Sequence, residues 1–260
     1  MSTDLVKIER RGAVAVLALN RPDKRNAMNR AARNALREAL DVLKDGTRAV
    51  VVTGAGEAFC AGMDLKETAQ DQAAGVMTAN AEWRDVNVAI RQHPAVFIAA
   101  VNGFALGGGM TLINVCDLAI ASEKALLGMP EISFATYPGL AGPSTQLSLS
   151  RKRAAWMILT GNRIDGRTAE EWGLVNRCVP HEDLLGAATD VAERVAQFDP
   201  VALAACKRAI DVIPASVTDW RMAFDYGDLT NAAIREQTEA QTGGLEKFGA
   251  GERNAGQGRN

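Results

Sequence analysis

The stretch Ala99-Ala100-Val101-Asn102-Gly103-Phe104-Ala105-Leu106-Gly107-Gly108-Gly109-Met110-Thr111 decides how the chain reads. An apolar, partly β-branched run from Ala95 to Val101 ends at Asn102-Gly103, as a buried strand stopped by a turn would. Three glycines follow, then Met110 to Val115, long enough for one or two turns of helix. Consecutive glycines weaken any regular element, so they ask for a reason. One reason is functional: bare backbone approaches a ligand closely and presents N–H groups at a helix N-terminus. The other is steric, a tight strand-to-helix connection with no room for side chains. Cys116 to Ala121 reads as the next strand, and Glu131 stands shortly after it, behind Pro130. A donor-rich turn followed by one carboxylate suits polarising a carbonyl and moving a proton.

Working outward, the 260-residue chain is 47% hydrophobic and 23% charged, enough apolar residues for a large core. The net charge of −2 leaves no basic surplus for nucleic acid or an anionic membrane, although a small anionic ligand needs only a few local cations. Four cysteines stand far apart, at 60, 116, 178 and 206, with no C-x-x-C pair. With only His93 and His181 besides, no metal site is expected. The chain opens Met1-Ser2-Thr3-Asp4 without a basic, apolar leader, and no apolar run reaches membrane length, so a cytoplasmic location is expected.

Upstream of the glycines, Val14 to Leu19 and Arg48 to Thr53 read as strands, the second suited to burial on both faces. Between them Asn29 is placed to cap a helix whose stripe is Ala32, Leu36, Ala39, Leu40 and Leu43. Gly54-Ala55-Gly56 lacks the third glycine of a dinucleotide fingerprint, since Phe59 stands there. Cys60, in the next small-residue turn, reads as buried filler. Residues 67–80 read as a mobile polar connection. Ala81 to Arg91 reads as a helix with Trp83, Val86 and Ile90 inward, stopped by Pro94, with His93 a surface or capping residue.

Downstream, residues 132–143 read as a long loop and Ala154 to Thr160 as a helix, led by a solvated Arg151-Lys152-Arg153. Thr168-Ala169-Glu170-Glu171 reads as a capping box for a short helix ending at Gly173, and Leu174 to Val179 as a strand. Leu184 to Phe198 and Val201 to Val212 are amphipathic, broken at Asp199-Pro200. Trp220 to Gln241 is a further helical stretch, with fraying expected beyond Phe248. Strands concentrate early and helices late. The fold expected is an α/β core over residues 1–195 with a helical C-terminal region over residues 196–260.

Taken in order, six groups of residues resemble the crotonase, or enoyl-CoA hydratase/isomerase, superfamily across about residues 5–210. They are Asn20-Arg21-Pro22 with Asn26-Ala27-Met28; Phe59-Cys60-Ala61-Gly62-Met63-Asp64-Leu65; Asn102-Gly103 with Gly107-Gly108-Gly109; Cys116-Asp117; Pro130-Glu131; and Gly173-Leu174-Val175. The resemblance implies a crotonase/ClpP-like spiral of ββα units whose C-terminal helices build a homotrimer or homohexamer. It implies an acyl-CoA thioester substrate, with coenzyme A entering as part of that substrate and no separate cofactor. By matching position, it implies backbone N–H donors at Ala61 and Gly108 for the thioester oxygen and Glu131 as the proton carrier. It also implies coenzyme A contacts at Arg25, Ala27, Met28, Met63, Asp64 and Leu65, and further substrate contacts at Gly107, Thr111, Phe134, Pro138 and Gly139.

Thr111 stands where the family's two-glutamate hydratases carry their first glutamate. A hydroxyl can hold a water but is a poor base near neutral pH. That leaves one-glutamate chemistry, with hydration by a hydratase or hydratase-lyase placed ahead of double-bond isomerisation. Thr53 to Ala58, Ala61 to Glu67 and Cys116 to Ala121 are nearest in wording to hydroxycinnamoyl-CoA hydratase-lyases, but Thr68 stands where those carry a tyrosine for the phenol. Neither Tyr137 nor Tyr226 can be matched to that role. Loss of the first glutamate would also suit a non-catalytic acyl-CoA-binding subunit; the intact glycine turns and Glu131 favour catalysis. A serine peptidase on a related spiral lacks a credible histidine context.

Overall fold

In the computed structural model, which describes residues 5–76 and 78–252, the chain opens with an antiparallel pair, β1 (Val6–Arg11) and β2 (Val14–Leu19). Helix α1 (Arg30–Leu43) starts at Asn29, whose side chain accepts the Ala32 N–H, and it buries the apolar stripe the periodicity predicts. The chain then winds through strand, strand and helix three times. The first turn is β3 (Ala49–Gly54), β4 (Ala58–Cys60), α2 (Leu65–Ala73) and α3 (Ala79–Gln92). The second is β5 (Val96–Val101), β6 (Phe104–Leu106) and α4 (Gly108–Val115). The third is β7 (Leu118–Ser122), β8 (Leu126–Gly128), α5 (Ala141–Ser148) and α6 (Arg151–Thr160). After β9 (Ile164–Asp165), α7 (Gly166–Trp172) and β10 (Arg177–Val179), the rest is helical. It comprises α8 (Leu184–Ala196), α9 (Pro200–Ser216), α10 (Trp220–Gln237) and α11 (Ala240–Gly249).

The first strand of each turn joins a six-stranded sheet of order β1-β2-β3-β5-β7-β10, and the second joins a smaller sheet, β4-β6-β8-β9. From β2 onward the large sheet is parallel. Both its faces are covered, which is why β5 reads as one apolar run. Phe97, Ala99 and Val101 turn into the main core with α1 and α3, whereas Val96, Ile98 and Ala100 pack with Leu184, Ala188 and Ala192 of α8. Asn102 then ties the second turn of the spiral to the first. Its Oδ1 accepts the Gly54 N–H at 3.1 Å and its Nδ2 donates to Gly56 O at 2.9 Å.

Several local expectations change. Within 67–80, residues 67–73 belong to α2 and 79–80 open α3; Asp64 caps α2 through the Lys66 and Glu67 N–H groups, a signal hidden in a polar stretch. Within 132–143 a 3₁₀ turn (Pro130–Phe134) and the start of α5 replace a continuous loop. The cap of α7 is Asp165, which accepts the Thr168 N–H, so Thr168 is not the capping residue. The strand expected over 174–179 is confined to Arg177–Val179, and the last helical stretch divides at Thr238 into α10 and α11. His93 does end α3, but buried rather than on the surface. Helix α11 runs to Gly249, and most of the fraying expected past Phe248 falls on residues 253–260, outside those described. No described helix is long and apolar enough to cross a membrane.

Candidate active site

The three glycines form the joint between β6 and α4. Gly107 takes left-handed backbone, φ +50°, and its carbonyl accepts the Met110 and Thr111 N–H groups as the helix begins. Side chains here would collide with chemistry-bearing groups. A Cβ on Gly107 would stand 2.6 Å from Glu131 Oε1, and one on Gly108 would stand 2.9 Å from Trp83 Nε1. The bare backbone therefore lets a carboxyl and an indole close on the first turn of α4. Thr111 follows Gly107 by four residues and Gly108 by three, so it stands above them on the same helix face.

These groups line one cavity of about 550 Å³, walled by α2, α3, the start of α4 and the segment from Pro130 to Ala141. Of the residues expected at a site, it gathers Ala61, Met63, Leu65, Gly107, Gly108, Thr111, Glu131, Phe134 and Gly139. The others lie off its wall. Met28 is core, Pro138 is buried under the loop, and Asp64 is the cap of α2 and pairs with Arg21 at 3.1 Å. Arg25 is exposed with its guanidinium over the Phe104 ring, and Ala27 is half-buried beside it, with its carbonyl taken by Arg21. Trp83 and Tyr137 line the cavity without having been singled out for it. Trp83 was legible only as a core residue of a helical stripe. Tyr137, whose hydroxyl accepts a 2.7 Å hydrogen bond from Gln146 Nε2, had no periodic pattern around it.

One expected role is corrected. The Ala61 N–H donates to Arg25 O at 2.9 Å, so it is already spent within the fold and is not free for a thioester oxygen. Two residues on, the geometry differs. Met28 and Met63 form a parallel bridge in which Met28 N–H donates to Gly62 O and Asp64 N–H donates to Met28 O. In such a bridge the N–H of the central residue, Met63, faces away from Met28, and it has no backbone acceptor among the described residues. Gly108 is the first helical residue, so its N–H has no acceptor within α4. The two turns are in contact, since a Cβ on Gly62 would stand 2.9 Å from Gly108 N.

Glu131 is half-buried, and its Oε2 is enclosed without a hydrogen-bond partner among the described residues; so is Thr111 Oγ1. Burial raises the Glu131 pKa from its ordinary value and outweighs the lowering effect of its own backbone N–H. Cys60, beside the site, is fully buried, and burial pushes its thiol up to about 12, which leaves it inert as a nucleophile. The arrangement offers unspent backbone donors at a helix N-terminus, a carboxyl poised to exchange a proton, and a hydroxyl where a second carboxylate was not found. No cluster of three or more His, Cys, Asp or Glu able to hold a metal occurs among the described residues.

The profile of a family described as "Enoyl-CoA hydratase/isomerase" matches residues 9–248. A protein named "Probable enoyl-CoA hydratase" from Mycobacterium bovis is 35% identical over 254 residues, covering 95% of this chain and 97% of that one. A hydroxycinnamoyl-CoA hydratase-lyase from Pseudomonas fluorescens is 30% identical, over 94% of this chain and 91% of its own. The crystal structure of an enoyl-CoA hydratase from Bacillus anthracis superposes with a TM-score of 0.87 at 33% identity, covering 95% of this chain and 97% of that one.

Proposed function

The chain belongs to the enoyl-CoA hydratase/isomerase family, and from that premise we propose that it is a one-glutamate hydratase or hydratase-lyase acting on an enoyl-CoA thioester. The observation that carries this reading is the enclosed, unpartnered Glu131 carboxyl set against the N-terminal turn of α4, with Thr111 in the same cavity. The thioester oxygen accepts the N–H groups of Met63 and Gly108, and the α4 dipole adds to them. Ionised Glu131 takes a proton from a water held by Thr111. The water oxygen bonds the β-carbon, and the π electrons move through the α-carbon onto the thioester oxygen. The enolate then collapses, taking the proton from Glu131 at the α-carbon, so that one water has been added across the double bond. In a hydratase-lyase the adduct's hydroxyl then gives its proton to Glu131, the bond between those two carbons breaks to release an aldehyde with its electron pair moving onto the thioester enolate, and the proton returns to the α-carbon. Isomerisation is the alternative, with the same carboxyl moving a proton between carbons. We also assign the acyl-CoA as the sole small-molecule partner, without a further cofactor, in a cytoplasmic homotrimer or homohexamer.

The test is incubation with aliphatic and aromatic enoyl-CoA thioesters, read by mass spectrometry. A gain of one water marks hydration, a shortened acyl-CoA with an aldehyde marks lyase action, and a product of unchanged mass with a moved double bond marks isomerisation. Glu131→Gln keeps the shape and removes the base, so turnover falls by about 10²-fold or more while acyl-CoA affinity holds. Because the base must be ionised and its pKa is raised, the acid limb of the parent's kcat profile lies above the ordinary carboxylate value. Turnover within a few-fold of the parent in Glu131→Gln would move the proton to another residue and overturn the mechanism.

A further inference from the structure

The Trp83 side chain is fully buried on α3, yet its indole N–H has no acceptor among the described residues. A buried tryptophan usually finds a partner for that proton, and a buried donor left without one is costly. Trp83 Nε1, Thr111 Oγ1 and Glu131 Oε2 make three of the five such unpartnered side-chain atoms, and their residues all line the same cavity. Their concentration points to a ligand that completes them.

The place of Nε1 says which part of the ligand. It lies 2.9 Å from the position a Gly108 Cβ would take, and that same position is 3.3 Å from Gly62 Cα. The indole therefore meets the two backbone turns where they present the Gly108 and Met63 N–H groups, whereas Glu131 lies against Gly107. An indole nitrogen only donates. Set beside two backbone donors, it is satisfied by an acceptor they share, and the developing oxyanion of a thioester is such an acceptor. The fold fixes the stretch of α3 that carries the ring. Asn87 Nδ2 donates to Trp83 O at 2.8 Å, and the Glu82 carboxylate, next in sequence, pairs with buried Arg33 at 2.8 Å.

We propose that the Trp83 indole N–H is a third donor to the thioester oxygen, beside the backbone N–H groups of Met63 and Gly108. The inference rests on the acyl-CoA reading above. It gives the glycine at 108 a second purpose, since any side chain there would displace the donor.

The test uses cinnamoyl-CoA carrying ¹³C at the thioester carbonyl, with difference infrared spectra of the bound thioester and steady-state kinetics. In the parent the bound C=O stretch moves to lower frequency than in water. Trp83→Phe keeps a buried ring and removes the donor; kcat falls by about 10²-fold with KM within a few-fold, and the C=O stretch shifts back toward its free value. Should Trp83→Phe fold poorly, β-(3-benzothienyl)alanine at position 83, with sulfur in place of the N–H, gives the same readouts. A variant with the parent's kcat and C=O stretch overturns the inference, as does one that loses kcat without moving the band, because that loss is structural. If the parent neither turns over nor shifts the band of any enoyl-CoA, the acyl-CoA reading itself has failed, and the inference falls with it.

Discussion

His93 shows how much a single residue can conceal. Its position before Pro94 made it legible as the end of a helix, but not as a buried one. Its Nδ1 accepts the Ala95 N–H at 3.0 Å, so Nε2 must carry the proton it gives to Leu40 O at 3.1 Å. That neutral form is enforced by burial, which lowers the pKa from 6.5 to about 4. The unfolded chain binds the proton more readily, so the stability His93 contributes is full above pH 6.5 and is lost as the pH falls toward about 4. Chemical denaturation across that window is expected to show a decline that His93→Gln flattens; an unchanged slope in the variant would place the acid sensitivity elsewhere. The same limit governed the turn at Ala61-Gly62-Met63. The motif wording of Ala61-Gly62-Met63 was plain in the sequence, but which N–H is spent depends on Arg25 O and the Met28 bridge, partners about 35 residues away.

At the scale of elements, helical periodicity found α1 and α3, and continuous apolar runs found β3, β5 and α4, because burial orders each of them. It missed α2, whose residues are polar and which has no fully buried side chain. What holds α2 is electrostatic. Arg33 of α1 is fully buried and bonds Met28 O at 3.0 Å, Glu67 of α2 at 3.2 Å and Glu82 of α3 at 2.8 Å. Glu67 in turn accepts the Arg30 N–H, and the Arg33 hydrogen bond leads the causes that lower the Glu82 pKa. The guanidinium thus joins the two helices that wall the cavity and the residue that bridges Met63. Arg33→Met removes the charge and leaves its carboxylate partners without their cation, at a cost of about 3–5 kcal/mol. Arg33→Met paired with Glu67→Gln and Glu82→Gln recovers part of that loss. Thermal unfolding of the single and triple variants checks this; equal stability of the parent and Arg33→Met would show that the network contributes nothing.

For the molecule as a whole, the spiral of strand, strand and helix was implied by the resemblance that the order of motifs carries, whereas the state of the C-terminal region depends on what its surfaces meet. Helix α9 is anchored to the core from one side. Lys207 Nζ donates to Ile90 O and Ala95 O and pairs with Asp117 at 2.9 Å, and Arg91 pairs with Asp211. Elsewhere in this region large apolar side chains are bare. Ile210 is 68% exposed, Trp220 79%, Phe224 64% and Leu229 69%, with Phe248 of α11 at 69%. Large apolar side chains concentrated on neighbouring helices are costly to leave in water and are the usual mark of an interface. The next copies of the same chain are the expected cover, in the trimer or pair of trimers proposed above from the family resemblance. Light scattering at micromolar concentration is expected to give three or six times the 27.6 kDa chain mass. Phe224→Glu with Leu229→Glu places charge at two exposed apolar positions of α10, outside the active-site cavity and away from the Lys207 anchor. The double variant is expected to run smaller than the parent while keeping the circular dichroism of the α/β core. A parent that scatters as a monomer would mean that these side chains are covered by something other than their own kind.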